Sequence, residues 1–198
     1  MTNASSSFQP LALPVMRKVL VIGSGGAGKS TVARRLSELL NIQVLHLDQF
    51  YWSSGWIEME KPEWTRTVEQ LLAKDEWIMD GNYSGTLDLR VAACDTVVFL
   101  DLPRTVCLWR VLKRAVIYRN RSRPDMAAGC HEKLNWKFVA WIWNYPRRSR
   151  SGIVQLLEAQ SDEKTIVWLR SQSDLNRFLA AQEPDANYQS LNLPASLS

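Results

Sequence analysis

Apolar and polar positions along the chain follow two alternating periods. Five short apolar runs, four of which stop at Gly or Asp, are typical of buried parallel strands; they cover residues 17–22, 43–47, 76–79, 96–100 and 165–169. Apolar residues at helical spacing predict helices over 29–40, from about 62 to 72, and over 104–118, 132–144 and 173–181. Strands that alternate with helices predict one α/β domain with a parallel sheet, spanning residues 16–181.

The two ends of the chain lack this periodicity. Residues 1–15 are predicted to be a mobile extension, and residues 182–198 a mobile tail. The apolar run 11–16 is too short for a signal segment or a membrane span. Three scattered cysteines without Cys-x-x-Cys spacing favour neither a disulfide framework nor a zinc site, and a reducing cytoplasm is the simplest compartment.

A glycine-rich segment joins the first strand to the first helix. It satisfies G-x-x-x-x-G-K-[ST] in the strand and helix context that this motif requires; its residues are Gly23, Ser24, Gly25, Gly26, Ala27, Gly28, Lys29 and Ser30, followed by Thr31. Its N–H groups and the helix N-terminus can surround a phosphate, while Lys29 neutralises charge and Ser30 can bind Mg²⁺. We therefore predict an ATP site with a magnesium ion.

Acidic residues follow three of the predicted strands. Asp48 can orient or deprotonate an acceptor hydroxyl at the carboxyl edge of the sheet, or cap the next segment. Asp80 can anchor hydrated Mg²⁺ beside Ser30, or stabilise an Asx turn. Asp101 is expected to serve a turn or a helix cap. His46 is expected to face away from the site as a structural histidine.

The positive charge of the chain is concentrated in one segment. The composition, 46% hydrophobic and 22% charged, excludes collagen-like, coiled-coil and wholly disordered proteins. The net charge is only +4, yet residues 104–150 contain nine Arg and three Lys against Asp125 and Glu132, a net +10, and the remainder sums to −6. This segment is either a clamp over phosphates or a surface for nucleic acid.

Arginines run from the end of the helix 104–118 into the following loop. A closing loop rich in guanidinium groups suits phosphoryl transfer, whereas the alternative is a solvated helix face; the residues are Arg110, Arg114, Arg119, Arg121 and Arg123. We take Arg119 and Arg123 as candidate catalytic residues. Arg114, Arg119 or the loop 170–174 can flank the base of the nucleotide.

A second arginine cluster and several tryptophans complete the candidates. The cluster, Arg147, Arg148 and Arg150, either closes on the acceptor from the opposite side or caps the preceding helix. We expect core positions for most of the tryptophans at 136, 141 and 143. Trp52 and Trp56 lie in a loop without a helical face that would bury them, so we expect them to contact substrate.

Taken with their neighbours, these motifs resemble those of the adenylate-kinase-related P-loop kinases, and more narrowly the group labelled DNA topology modulation proteins. The resemblance covers about residues 17–181 and rests on segments 23–31, 46–52, 80–86, 99–104, 119–126, 141–143 and 146–150. It implies a three-layer P-loop kinase fold with a parallel five-stranded sheet of order 2-3-1-4-5, and a helical Arg-rich lid at about 119–130. It also implies an acceptor pocket roofed by residues after Asp48.

The function expected from motif and resemblance together is ATP- and Mg²⁺-dependent phosphoryl transfer to a small acceptor, a nucleotide or a hydroxylated metabolite. Asn82-Tyr83-Ser84 stands where adenylate kinases have an apolar-Pro-Arg sequence that contacts AMP, which argues against adenylate kinase activity itself. The alternative is a nucleic-acid-binding protein that affects DNA topology, with ATP in a regulatory role. No membrane partner is expected, and spacing does not choose an oligomeric state.

Overall fold

A computed structural model describes residues 16–119, 123, 125–132 and 135–183 of the chain. The predicted N-terminal extension, all of the predicted tail beyond residue 183, and Arg121 of the predicted lid lie outside these residues.

The five predicted strands form one parallel sheet. They are β1 (Lys18–Gly23), β2 (Val44–His46), β5 (Trp77–Asp80), β6 (Thr96–Leu100) and β7 (Thr165–Leu169), in the spatial order β2-β5-β1-β6-β7. Counted over these five strands alone, this is the predicted order 2-3-1-4-5. The central strands β1 and β6 are almost entirely buried and mostly apolar because helices cover both faces of the sheet, as is usual for parallel sheets.

Eight α-helices surround the sheet in the part of the chain that the structure describes. They are α1 (Lys29–Leu40), α2 (Leu47–Tyr51), α3 (Lys61–Leu72), α4 (Leu87–Ala93), α5 (Arg104–Ile117), α6 (Trp136–Tyr145), α7 (Ser151–Glu158) and α8 (Gln172–Ala181). One core packs α3, α4 and α7 against one face of the sheet, and a second core packs α1, α5 and α8 against the other. The predicted three-layer α/β class is confirmed.

Several elements that the periodicity did not predict lie around the carboxyl edge of the sheet. After α2, strands β3 (Trp52–Ser53) and β4 (Ile57–Glu58) pair as a short antiparallel hairpin. A 3₁₀ turn, Ser84–Thr86, leads into α4. These pieces span only two to seven residues, too few for a repeat of apolar positions to stand out.

The helix α6 ends at Tyr145, one residue beyond the predicted end at residue 144. Pro146 begins a π-helical turn, Pro146–Arg150, that leads directly into α7. The proline has no N–H to continue the hydrogen-bond ladder of α6, and the helix changes to the wider π-helical turn at this residue. Among the described residues, no helix combines the length and the apolarity needed to cross a bilayer.

The outer face of the α5–α6 pair carries exposed apolar residues. The residues at helical spacing in α5, including Trp109 and Val116, point to solvent, while Cys107 and Val111 face the core. Trp136 and Trp143 of α6 are also exposed, so the expectation of core positions was wrong for them; Trp141 is half-buried. The helical spacing of apolar residues in α5 did not identify the buried side of this helix, because Cys107 and Val111 pack directly against the glycine-rich loop.

Candidate active site

The glycine-rich loop leaves β1 at Gly23 and enters α1 at Lys29, beneath α5 and α6. At Gly26, with a φ of 78°, a Cβ atom would collide with the Cys107 carbonyl oxygen of α5. At Gly25, a Cβ atom would lie 2.5 Å from Phe138 Cζ of α6. Glycines at these two positions let the backbone come close to both helices. The loop is therefore fixed in position by tertiary packing.

The loop lysine folds back onto its own loop. Lys29 Nζ donates to the carbonyl oxygens of Gly23 at 3.0 Å and Ser24 at 3.1 Å. Burial lowers the pKa of Lys29, although Asp48 and Asp80 act in the opposite direction. A buried ammonium group that rests only on carbonyls is stabilised by a nearby anion, which favours a phosphate at this position.

The N-terminus of α1 has no side-chain cap. Gly28, the N-cap residue, adopts a φ of 101° and provides no hydrogen-bond acceptor for the first-turn N–H groups. These groups need an outside partner, and they carry the positive end of the dipole of a 12-residue helix. The donors present here, backbone N–H groups and an ammonium group, fit the phosphates of a nucleotide.

The two predicted magnesium ligands both line the same cavity, and each already has a partner in the protein. Asp80, at the end of β5, is buried and lies with Oδ1 2.7 Å from His46 Nδ1. The pKa of Asp125 is lowered although burial opposes this, because the Arg123 guanidinium and the Ser30 hydroxyl both stabilise its negative charge. A hydroxyl and carboxylates are the oxygen ligands that Mg²⁺ prefers beside phosphates, so this set fits the ion.

The position of His46 differs from the expectation that it faces away from the site. β2 ends at His46, which is in register with Asp80 of β5, so the two side chains meet. Burial tends to lower the pKa of His46, but the hydrogen bond to Asp80 raises it above the ordinary value. The pair fixes the orientation of the Asp80 carboxylate.

Asp48 lies in α2, where Tyr83 holds it. The Tyr83 hydroxyl donates to Asp48 Oδ1 at 2.5 Å, and both residues line the cavity. Burial raises the pKa of Asp48, while Tyr83 and Lys29 partly oppose the rise. A carboxylate with a raised pKa at the edge of a cavity is suited to accept a proton near neutral pH.

The turn that carries Tyr83 is held by a buried arginine. The Arg90 guanidinium donates to the carbonyl oxygens of Gly81 at 2.8 Å, Tyr83 at 2.8 Å and Thr86 at 3.2 Å, and also to that of Asn82. The side chain of Arg90 is fully buried. Burial lowers its pKa to about 10. No local pattern pointed to this role, since Arg90 sits in a helix too short for its pattern to be seen.

Two arginines, Arg114 of α5 and Arg123 of the lid, line the cavity and are paired with buried carboxylates. Arg123 contacts Asp125 at 2.8 Å and Glu132 at 2.7 Å, and Arg114 contacts the same Glu132 at 3.0 Å. These two carboxylates are the ones already subtracted in the net charge of this segment, so the net +10 remains. Arg119 is exposed, bridges the backbone of Glu132, and is not among the residues that line the cavity.

The second arginine cluster does not act as one group. Arg150 makes a bidentate pair with Asp101 at 2.7 Å for each hydrogen bond, and Trp168 Nε1 also donates to Asp101. Asp101 therefore anchors the π-helical turn to the end of β6; the cap of α5 is Pro103, so the expectation of a helix cap was wrong. Arg147 and Arg148 are exposed.

One cavity of about 950 Å³ joins these groups. Its walls include residues that the sequence reasoning did not assign to the site: Arg34, Met126, Asn135, Phe138 and Trp141. Trp52 and Trp56 line it, as expected for residues that contact substrate. The β3–β4 hairpin closes against the lid segment, since Trp56 Nε1 donates to the His131 carbonyl oxygen at 3.1 Å and Gly129 packs on Ser54.

No protein-family model matches the chain, and no curated protein matches it. Similar solved structures include shikimate kinase from Bacteroides thetaiotaomicron, with 14% identity, a TM-score of 0.47, and coverage of 90% of this chain and 99% of that one. Shikimate kinase from Acinetobacter baumannii in complex with shikimate has 16% identity, a TM-score of 0.49, and coverage of 90% and 96%. Deoxyadenosine kinase from M. mycoides, with products dCMP and a flexible dCDP bound, has 12% identity, a TM-score of 0.45, and coverage of 88% and 97%. Neither the fold assignment nor the function below rests on similarities of this size.

Proposed function

We propose that the protein is an ATP- and Mg²⁺-dependent phosphotransferase that moves the γ-phosphoryl group of ATP to a small acceptor. The observation that carries this proposal is the uncapped N-terminus of α1 together with Lys29, whose buried ammonium group rests on two loop carbonyls. The full motif over residues 23–30 and the carboxylates at the same cavity support it.

In this proposal each group of the chain has a defined task. The loop 23–31 and Lys29 bind the phosphates of the donor. Asp48, held by Tyr83, orients the acceptor hydroxyl and accepts its proton. Arg123 stabilises charge on the transferred group after exchanging its carboxylate partners for phosphate oxygens, and Arg119 and Arg114 bind the nucleotide when the lid closes.

Ser30 and Asp80 are the residues that would hold Mg²⁺. When bound, the ion neutralises phosphate charge and orients the phosphates. The His46–Asp80 bond keeps the Asp80 carboxylate aimed in a fixed direction, and Asp125 loses its pairing with Arg123 as the lid rearranges. This exchange predicts that nucleotide binding changes the environment of the lid.

Nucleotide binding tests the proposal through the Lys29→Met variant. Isothermal titration with ATP and Mg²⁺ is expected to give an affinity at least 100-fold weaker than that of the unchanged protein. Lys74→Met is the matched control, because Lys74 is exposed just after α3 and its loss should leave affinity unchanged. Equal ATP affinity in all three proteins would contradict the proposal.

Nucleic-acid binding is a second candidate, which the surface of the α5–α6 pair favours. Trp109, Trp136 and Trp143 are exposed there, and Arg104 lies 3.9 Å from the Trp143 ring centroid. Aromatic faces beside cations are a platform for single-stranded nucleic acid. Binding of a labelled oligonucleotide should then weaken steeply with salt, and Lys137→Gln should reduce the slope by about one; no binding at low salt would exclude this role.

A further inference from the structure

The acceptor side of the cavity is lined by aromatic rings and carboxylates. Four rings, Tyr51, Trp52, Trp56 and Tyr83, face it from α2, the β3–β4 hairpin and the turn after β5. We call these four residues the aromatic cage. Two carboxylates, Asp48 and Glu58, lie among them. The glycine-rich loop and the lid arginines line the other side, so the two sides suit different chemical groups.

The rings of the aromatic cage stand at steep angles to one another. Trp52 is inclined by 89° to Tyr51 and by 71° to Trp56, with centroid distances of 5.0 and 5.3 Å. A planar base is gripped best between parallel rings, and the stacked pair on this cavity, Phe138 and Trp141 at 7°, belongs to α6 next to the loop. The rings of the aromatic cage, with the Tyr51 and Tyr83 centroids 4.6 Å apart at 53°, pack edge to face and form one aromatic wall whose faces point in different directions, unlike a pair of parallel plates.

The charge on this side favours a cation. The Tyr51 hydroxyl donates to Glu58 at 2.9 Å, and the Tyr83 hydroxyl donates to Asp48, so both phenols are oriented by carboxylates. Burial raises the pKa of Asp48, and Asp80 acts in the same direction, while Tyr83, Lys29 and Arg123 partly oppose the rise. Arg34, an arginine of α1, also lines the cavity, but its side chain is exposed to solvent and lies one helical turn beyond Ser30. A phosphate placed among these carboxylates would be repelled.

We propose that the acceptor is a positively charged amino alcohol, bound with its ammonium group in the aromatic cage. Ammonium groups, quaternary ones above all, are attracted to the faces of Trp and Tyr rings. The acceptor hydroxyl forms a bond to the γ-phosphorus of ATP, the bond from that phosphorus to the β–γ bridging oxygen breaks, and the hydroxyl proton passes to Asp48. The products are ADP and a phosphate monoester of the amino alcohol. This inference rests on the phosphotransferase function proposed above.

Binding of choline without nucleotide tests the aromatic cage independently of catalysis. The matched control ligand is 3,3-dimethylbutan-1-ol, which has the same shape with carbon in place of the charged nitrogen. Quenching of tryptophan fluorescence, checked by titration calorimetry, should show choline binding at least tenfold more tightly than the alcohol. Equal affinities for the two ligands would overturn the inference. So would the absence of choline binding at concentrations up to about 50 mM, or tighter binding of adenosine or AMP.

Variants of Trp52 separate the ring face from mere bulk. Trp52→Phe keeps an aromatic face and should retain choline binding within about threefold, whereas Trp52→Leu should weaken it at least tenfold. Trp109→Leu is the control, because Trp109 is an exposed tryptophan of α5 that does not line the cavity. Equal losses in the Phe and Leu variants would also overturn the aromatic cage.

The two proposals fail in different ways. Choline binding that depends on Trp52, without phosphoryl transfer from ATP to choline, ethanolamine or related amino alcohols, would leave the aromatic cage standing and count against the phosphotransferase. Transfer from ATP to a neutral or anionic acceptor, with no preference for the cation, would support the phosphotransferase and overturn the amino-alcohol acceptor.

Discussion

The buried guanidinium of Arg90 offers the sharpest test of how the site is held together. It donates to four carbonyl groups of the turn and short helix that follow β5, and it is paired with none of the described carboxylates. That turn carries Tyr83, which in turn holds Asp48. Replacement by Met, as Arg90→Met, keeps much of the volume and removes every donor.

The expected loss of stability follows from counting acceptors. A buried polar group left without its partner costs about 1–3 kcal/mol. Asn82 and Tyr83 are half-buried, so water can reach part of the turn and the lower value applies. The Tyr83 carbonyl keeps a partner, because it also accepts from the Thr86 N–H at 3.1 Å. The other three carbonyls at about 1 kcal/mol each give a loss of about 3 kcal/mol in the free energy of unfolding. The loss is large against the roughly 5–15 kcal/mol that stabilise a typical domain.

Urea unfolding at 25 °C measures this loss. With an m-value of about 2 kcal/mol per molar, the midpoint of Arg90→Met should fall by about 1.5 M. Arg66→Met, at an exposed position on α3, is the matched control and should change the free energy by less than about 0.5 kcal/mol. A loss below about 1 kcal/mol for Arg90→Met would show that the four hydrogen bonds do not stabilise the turn, and would refute the reasoning.

Three further predictions concern protonation. Tyr83→Phe removes the hydrogen bond that lowers the pKa of Asp48, so the acidic limb of the rate profile should move toward higher pH. An unmoved limb would count against Asp48 as the base. Asp80 raises the folded-state pKa of His46. The stabilisation of the fold by protonated His46 is therefore complete below the ordinary value of 6.5 and is lost as the pH rises through the folded-state pKa. Urea midpoints should fall over that range in the unchanged protein and stay flatter in His46→Gln. The guanidinium of Arg150 lowers the pKa of Asp101 although burial opposes this. The stabilisation of the fold by ionised Asp101 therefore holds above the ordinary value of 3.8 and disappears as the pH falls through the folded-state pKa. Acid unfolding of Asp101→Asn should lack that step.

The sheet and the phosphate side of the site followed from local patterns. Strands β6 and β7 and helix α1 have the predicted bounds, because each is a continuous run whose period and end signals agree. The glycine-rich loop was visible for the same reason: its motif, its strand and its helix are adjacent in the sequence. The parallel order of the strands then followed from the resemblance to P-loop kinases.

The acceptor side depends on contacts that no local pattern encodes. Arg90 reaches back to the turn after β5, and Trp56 reaches across 75 positions to the His131 carbonyl. Glu132 and Asp125 had been counted only as two charges against twelve, yet burial makes them the partners that fix the lid arginines. The apolar spacing in α5 predicted the wrong buried side for a similar reason. The side of α5 that packs on the glycine-rich loop is set by the tertiary contact of Cys107.

Phosphorus NMR of the protein with ATP, Mg²⁺ and a panel of hydroxylated metabolites tests the central claim most directly. The expected result is a new phosphate monoester signal that grows in equal amount with ADP in the presence of one acceptor, and that is absent with Lys29→Met. ATP that stays unchanged with every acceptor, or turnover that Lys29→Met does not reduce, would contradict phosphoryl transfer at this site.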